Sequence, residues 1–331
     1  MIKVLNVYTV SKWEEINNII FRFNEGTKGA QFCQNIMTFD IETTNLWSSD
    51  DGTAVGFDHI LYNNDEEYRE KIDNAKPQSC LYIWQMAIES QDGPKVFIGR
   101  TWKDYQDFME LLSIEIRRQS LYGYQTYNRI SENISSQKIK KNVYTKMYVH
   151  NLGFEFQHIR NIFEDKLTHS HRRKGSVFAR SPRKPMKFNI NVNKVAWEYR
   201  DTLVLTQKSL KKWCEDEKLP VQKLTEPKDY YLKMRSPLTE LTEEEINYSI
   251  NDVVSMIYGI EKYREKYGTL ENIPLTQTGA VRLKCRENVC NTNPIWAGQC
   301  SEITQSYSPE EFKRLVQLFQ GGWTHGNNKY I

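Results

Sequence analysis

Two carboxylates close an apolar run, and their spacing limits what that run can become. The segment reads Ile36-Met37-Thr38-Phe39-Asp40-Ile41-Glu42-Thr43-Thr44. Side chains in a strand alternate faces, so Thr38, Asp40 and Glu42 share one face while Met37, Phe39 and Ile41 share the other. Adjacent carboxylates repel, and burying them uncompensated is costly. A divalent cation between them removes both problems, and a hard oxygen pair suits Mg²⁺ or Mn²⁺. A strand end with two solvated acids is the other reading of the same residues.

Composition narrows the setting. At 331 residues the chain is long enough for one large domain or two modest ones. Charged residues make up 26% of it, yet the net charge is only +3, which argues against disorder and against a polycation. The 19 Tyr, 14 Phe and 8 Trp can serve as stacking platforms as well as core. No apolar run is long enough for a bilayer, and Met1-Ile2-Lys3-Val4-Leu5 passes quickly into polar sequence, so neither membrane association nor a leader is expected. Cys33, Cys80, Cys214, Cys285, Cys290 and Cys300 form no C-x-x-C pair and fit no zinc spacing; they read as reduced thiols in a cytoplasm, the host's if the protein is viral.

Local patterns predict a mixed α/β layout. Lys3 to Tyr8 reads as a strand, and Ser11 is placed to cap a helix towards Asn24. Residues 47–78 read as a polar excursion. Gln91-Asp92-Gly93-Pro94 marks a hairpin between Cys80–Ser90 and Lys95–Ile98. Trp102, Tyr105, Phe108, Leu111, Leu112 and Ile116 carry helical spacing over Thr101–Arg118, followed by a second polar stretch at 119–146. Met147–Val149 is a short strand leading into a helix that ends near Phe163.

Further acids lie far along the chain. Glu155 opens the helix after the Met147 strand, where sites gather in α/β folds, with His150, Asn151 and Phe154 beside it. Asn151 can exchange hydrogen bonds and Phe154 can stack on a base; an ordinary helix start would use the same residue types. Thr242-Glu243-Glu244-Glu245 is a capping box for a helix to about Tyr263, with Ile246, Ile250, Val253, Val254, Ile257 and Ile260 as its stripe. Tyr248 and Asp252 share a face roughly opposite that stripe. They read as a phenol and a carboxylate presented to a groove, or as a solvated face. Between these elements, Lys166 to Lys187 holds eight Lys/Arg and no acid, including Arg172, Arg173, Lys174 and Arg180. It reads as an extended hairpin or loop tracking phosphates.

Taken together, Phe39-Asp40-Ile41-Glu42-Thr43-Thr44, His150-Asn151-Leu152-Gly153-Phe154-Glu155 and Tyr248-Ser249-Ile250-Asn251-Asp252 resemble the three exonuclease motifs of family B DNA polymerases of the protein-primed phage and organellar-plasmid type. Asp201-Thr202-Leu203, the Lys223 segment and Phe319-Gln320-Gly321-Gly322-Trp323-Thr324 extend the resemblance. It implies a ribonuclease H-like mixed sheet flanked by helices, of the acidic-quartet, Tyr-type class. Residues 1–265 would form the exonuclease domain, with insertions near 47–78 and 119–146. Residues 266–331 would connect to a polymerase domain absent from this chain.

By the same resemblance Asp40, Glu42, Glu155 and Asp252 would hold two divalent cations, Mg²⁺ or Mn²⁺. Tyr248 would orient the hydrolytic water, and Lys223, with Lys228 as a competing match, would be the catalytic-site lysine. Thr43, His150, Asn151, Phe154, Thr202, Leu203 and Tyr230 match positions that grip a single-stranded DNA 3′ end. The implied activity is 3′→5′ exonucleolytic proofreading, with the primer-terminus duplex and a priming protein as further partners. Two departures stand out: Glu155 replaces the Asp of many members, and Phe319 replaces the junction Tyr. An acidic-quartet exonuclease on RNA or oligonucleotides, or an idle single-strand-binding module, would carry many of the same residues.

Overall fold

A computed structural model describes residues 11–26, 30–48, 54–56, 59–74, 76–128, 143–162, 177–181, 184–227, 235–292 and 308–318. The chain divides into two compact units, Met1–Gln277 and Thr278–Ile331. The first unit is built on one sheet. Its strands are β1 (Phe23–Glu25), β2 (Gln31–Cys33), β3 (Met37–Ser48), β4 (Ala54–Gly56), β5 (Lys76–Ser90), β6 (Gly93–Gly99), β7 (Val143–Val149), β8 (Val177–Ser181), β9 (Lys184–Val192) and β10 (Val195–Asp201). Its helices are α1 (His59–Asn64), α2 (Glu66–Asn74), α3 (Trp102–Asn128), α4 (Leu152–Ile162), α5 (Thr202–Thr206), α6 (Leu210–Glu217) and α7 (Glu243–Tyr267).

The main path runs β6-β5-β3-β7-β10-β9-β8. β3, β5 and β6 are antiparallel, while β7 and β10 run parallel to each other and β7 runs parallel to β3. An antiparallel triplet extended by two parallel strands, with helices on both faces, is the expected ribonuclease H-like α/β arrangement. The strand alternation decides the layers. Met37, Phe39 and Ile41 pack with Tyr105, Phe108 and Leu112 of α3 and Leu152 and Ile159 of α4 in one core. Thr38 faces the other way and donates to the Val253 carbonyl of α7 at 2.7 Å. There Tyr148, Trp213 and the α7 stripe form the second core. Each fully buried large apolar side chain contributes about 2–3 kcal/mol. Gly259 lets α6 approach α7: a Cβ there would lie 2.3 Å from Trp213 Cζ2.

Several expectations need correction. Ser11 caps no α-helix; Trp13–Asn18 is a single 3₁₀ segment that starts after Lys12 without a side-chain cap, and β1 follows it. The excursion at 47–78 carries the end of β3, β4, α1, α2 and the start of β5. α3 runs on to Asn128, well past Arg118, and β7 starts at Val143. Leu270 and Ile273, just past α7, are buried with it. The Lys3–Tyr8 strand and the Phe319 motif lie outside the described residues. The second unit contains α8 (Gln277–Thr292) and α9 (Pro309–Leu318). Among the described residues no helix is long and apolar enough to cross a membrane.

Candidate metal centre

Three distant stretches supply one acidic cluster. Asp40 and Glu42 come from β3 and Asp252 from α7, and each offers an oxygen within 4.8 Å of the others. Strand alternation aims the first two at α7. The helix is fixed by the expected capping box, with Thr242 and Glu245 bonded reciprocally. Tyr248 and Asp252 do not lie on a solvated face; both are buried, because α7 is covered by the sheet as well as by α6.

A β-bulge seats the phenol. Glu42 pairs with Ile83 and Thr43 with Leu81, so Tyr82 is skipped in the ladder. A bulge can turn two successive side chains to one side. Tyr82 and Ile83 both pack with Tyr248.

Glu155, at the first turn of α4, is 3% exposed and is paired with Asp40. Burial, then the charge of Asp40, raises the Glu155 pKa well above its usual value. Burial, then Asp252, pushes Asp40 up to about 7. Burial also raises Asp252, although Lys223 opposes it. Lys223 Nζ lies 2.5 Å from Asp252 Oδ2 and 3.2 Å from the Tyr248 hydroxyl oxygen. Burial disfavours its charge, but Asp252 outweighs that and holds the ammonium in its charged form. One lysine faces four acids. Asp252 Oδ1 and Glu155 Oε2 are buried without hydrogen-bond partners among the described residues. Orphaned carboxylate oxygens beside surplus negative charge fit a divalent cation, and this cluster can hold one.

The turn between β7 and α4 is held from β10. Asp201 Oδ1 accepts from the backbone N–H groups of Asn151 (3.0 Å) and Leu203 (2.8 Å), which secures Asn151 at φ 69°. Burial raises the Asp201 pKa to about 6. Thr202 Oγ1 donates to the Val149 carbonyl (3.2 Å) and lies 2.9 Å from His150 Nδ1, which places the imidazole proton on Nδ1. Burial lowers the His150 pKa to about 4, so the ring is neutral. Thr202 is fully buried, Leu203 and Thr43 are half-buried, and Asn151 and Phe154 are exposed. Arg180 is exposed on β8, within an antiparallel β8–β9 hairpin at the basic segment. Arg172, Arg173, Lys174, Lys228 and Tyr230 lie outside the described residues.

Gln85 escaped the sequence reading. It pairs with Asp40 across the ladder and donates to Asp40 Oδ2 at 3.1 Å. A lone amide in the apolar run Leu81–Ile88 was its signal.

No family model and no curated protein matches the chain. Solved structures do. Phi29 DNA polymerase complexed with single-stranded DNA is 17% identical over 78% of this chain, with a TM-score of 0.46. The ternary complex of the same polymerase with primer-template DNA and incoming nucleotides has the same identity and a TM-score of 0.47. The chain covers 35% of the length of each.

Proposed function

We propose that this chain is a metal-dependent 3′→5′ exonuclease on single-stranded DNA ends, the proofreading part of a phage-type DNA polymerase. The observation that carries the reading is the convergence of Asp40, Glu42 and Asp252 within 4.8 Å, with Glu155 bonded to Asp40. Two divalent cations, Mg²⁺ or Mn²⁺, held by these four acids would supply charge neutralisation and polarisation at the scissile phosphate. The chain's own groups do the rest. The Tyr248 hydroxyl, fixed through its ring by Tyr82 and Ile83, orients the attacking water. Lys223 adds positive charge where the transition state is more negative than the ground state. Phe154, exposed beside the buried Glu155, stacks on a terminal base that has left the duplex. Thr43, His150, Asn151, Thr202, Leu203 and Tyr230 shape the cleft for the 3′ end, and the basic hairpin with Arg172, Arg173, Lys174 and Arg180 follows the phosphates. Residues 266–331 lead towards a polymerase domain.

An end-labelled single strand tests this. Stepwise loss from the 3′ end in Mn²⁺, abolished by EDTA and by Asp40→Ala and Asp252→Ala, is the expected result. Activity undiminished in both variants would reject the assignment. Matched RNA and DNA strands report the sugar preference.

A further inference from the structure

At the end of the sheet that carries the acids lies a cavity of about 660 Å³, lined by Ser79, Leu81, Arg100, Trp102, Arg235 and Thr239 among others. It adjoins the metal centre along β3: Leu81 pairs with Thr43, and the Arg235 N–H donates to Thr44 Oγ1 at 3.3 Å. Arg235 is committed to a buried ion pair with Glu245. Arg100 is different. Its Nε donates to the Tyr82 carbonyl (2.6 Å) and its Nη2 to the Ser236 (3.0 Å) and Thr239 (2.7 Å) carbonyls. No carboxylate pairs with it among the described residues, and Nη1 has no partner there. A fixed guanidinium with two unspent N–H groups on one nitrogen at a cavity wall suits an anionic oxygen.

The other wall is aromatic. Trp102 lies stacked near His158, with centroids 6.2 Å apart and planes at 23°, and His158 meets Phe154 edge-on at 5.2 Å. Burial lowers the His158 pKa, so the ring between them stays neutral. A strip of three flat side chains therefore runs from beside Glu155 to the cavity.

Resting on the nuclease reading, we propose that this cavity is a second nucleotide subsite: it takes a base of the single strand upstream of the scissile bond against Trp102, with that nucleotide's phosphate on Arg100. Leu81 and Trp102 beside Arg100 favour a ligand with both a flat face and a charge over a bare inorganic anion.

The test is the length dependence of binding by the full chain in EDTA, where nothing is cut, read by fluorescence anisotropy with labelled oligothymidylates of two to eight nucleotides. Wild type should gain about tenfold in affinity over a narrow step in length, within what one stacked base is worth. Trp102→Ala and Arg100→Gln should each shrink that step to less than about threefold, whereas Trp102→Phe, which keeps a ring, should restore most of it. A step of wild-type size in both Trp102→Ala and Arg100→Gln overturns the subsite while leaving the nuclease reading intact. Failure of the nuclease reading shows separately, as 3′-end loss insensitive to Asp40→Ala; no binding at any length overturns the subsite too.

Discussion

The two ends of the β3–β5 ladder treat buried carboxylates in opposite ways. At the start of β3, Glu89 accepts from Arg264 at 2.6 and 2.8 Å, from Arg22 at 2.8 Å and from the Ile36 N–H at 3.0 Å. Burial alone would raise its pKa, but the bonds from Arg264 and Ile36 outweigh that and hold it below the usual value. Farther along β3, Asp40 and Glu42 share Lys223 with Asp252 of α7, and Asp40, Asp252 and Glu155 of α4 shift upwards. At the first end the carboxylate is fully partnered by the protein itself. Those at the second become so only with protons or a cation, which is the physical mark of a site built for something else.

Experiments that break this contrast should differ in sign as well as size. The largest effect is on turnover: Asp40→Ala or Asp252→Ala should cut 3′-end release by about a hundredfold or more, measured as kcat/KM with Mn²⁺. Next is Glu89→Gln, which removes the closest charge partner of Arg264, leaving Glu261 at 3.6 Å, and should cost about 3 kcal/mol in urea unfolding while preserving metal dependence.

Cation and proton should then compete. Asp40 has a folded pKa of about 7 against an ordinary 3.8, so its contribution to metal-free stability is full below 3.8 and is lost as pH rises through 7. His150 runs the other way, with stability present above 6.5 and lost as pH falls towards 4, but it cancels between matched samples. The Mn²⁺-minus-EDTA shift in Tm should therefore grow from near zero at pH 5 to several degrees at pH 8, equivalent to about 2.7 kcal/mol at a hundredfold excess over Kd. A shift independent of pH would contradict the arrangement.

Tyr248→Phe keeps the ring packing and should lower kcat roughly tenfold, about 1.4 kcal/mol. Smallest of all, Glu155→Gln should change metal-free stability by less than about 1 kcal/mol, since burial already disfavours the charge that the substitution removes. A loss as large as that of Glu89→Gln would erase the distinction between the two ends.

Much of this was legible because it is periodic. The alternation around Asp40 located a strand and its two faces, and the capping box at Thr242 located α7. What stayed hidden depends on pairing across sequence. Gln85 matters only because it stands opposite Asp40, and Glu89 only because Arg264 and Arg22 reach it from elsewhere. The solvated-face alternative for Tyr248 stays open in the sequence because a helix pattern shows one packing surface, and α7 has two. Ser11 caps no helix; its N–H donates to the Val96 carbonyl at 2.9 Å, which ties that stretch to β6.

The skipped Tyr82 makes the centre depend on strand length as well as on side-chain identity. Removing that single residue would let the two chains run in uniform step and would send its successor's neighbours to opposite sides. The phenol would lose its seat and Arg100 its carbonyl anchor, although every acid remained in place. A one-codon deletion there would undo the site while a scan of its charged positions found nothing missing.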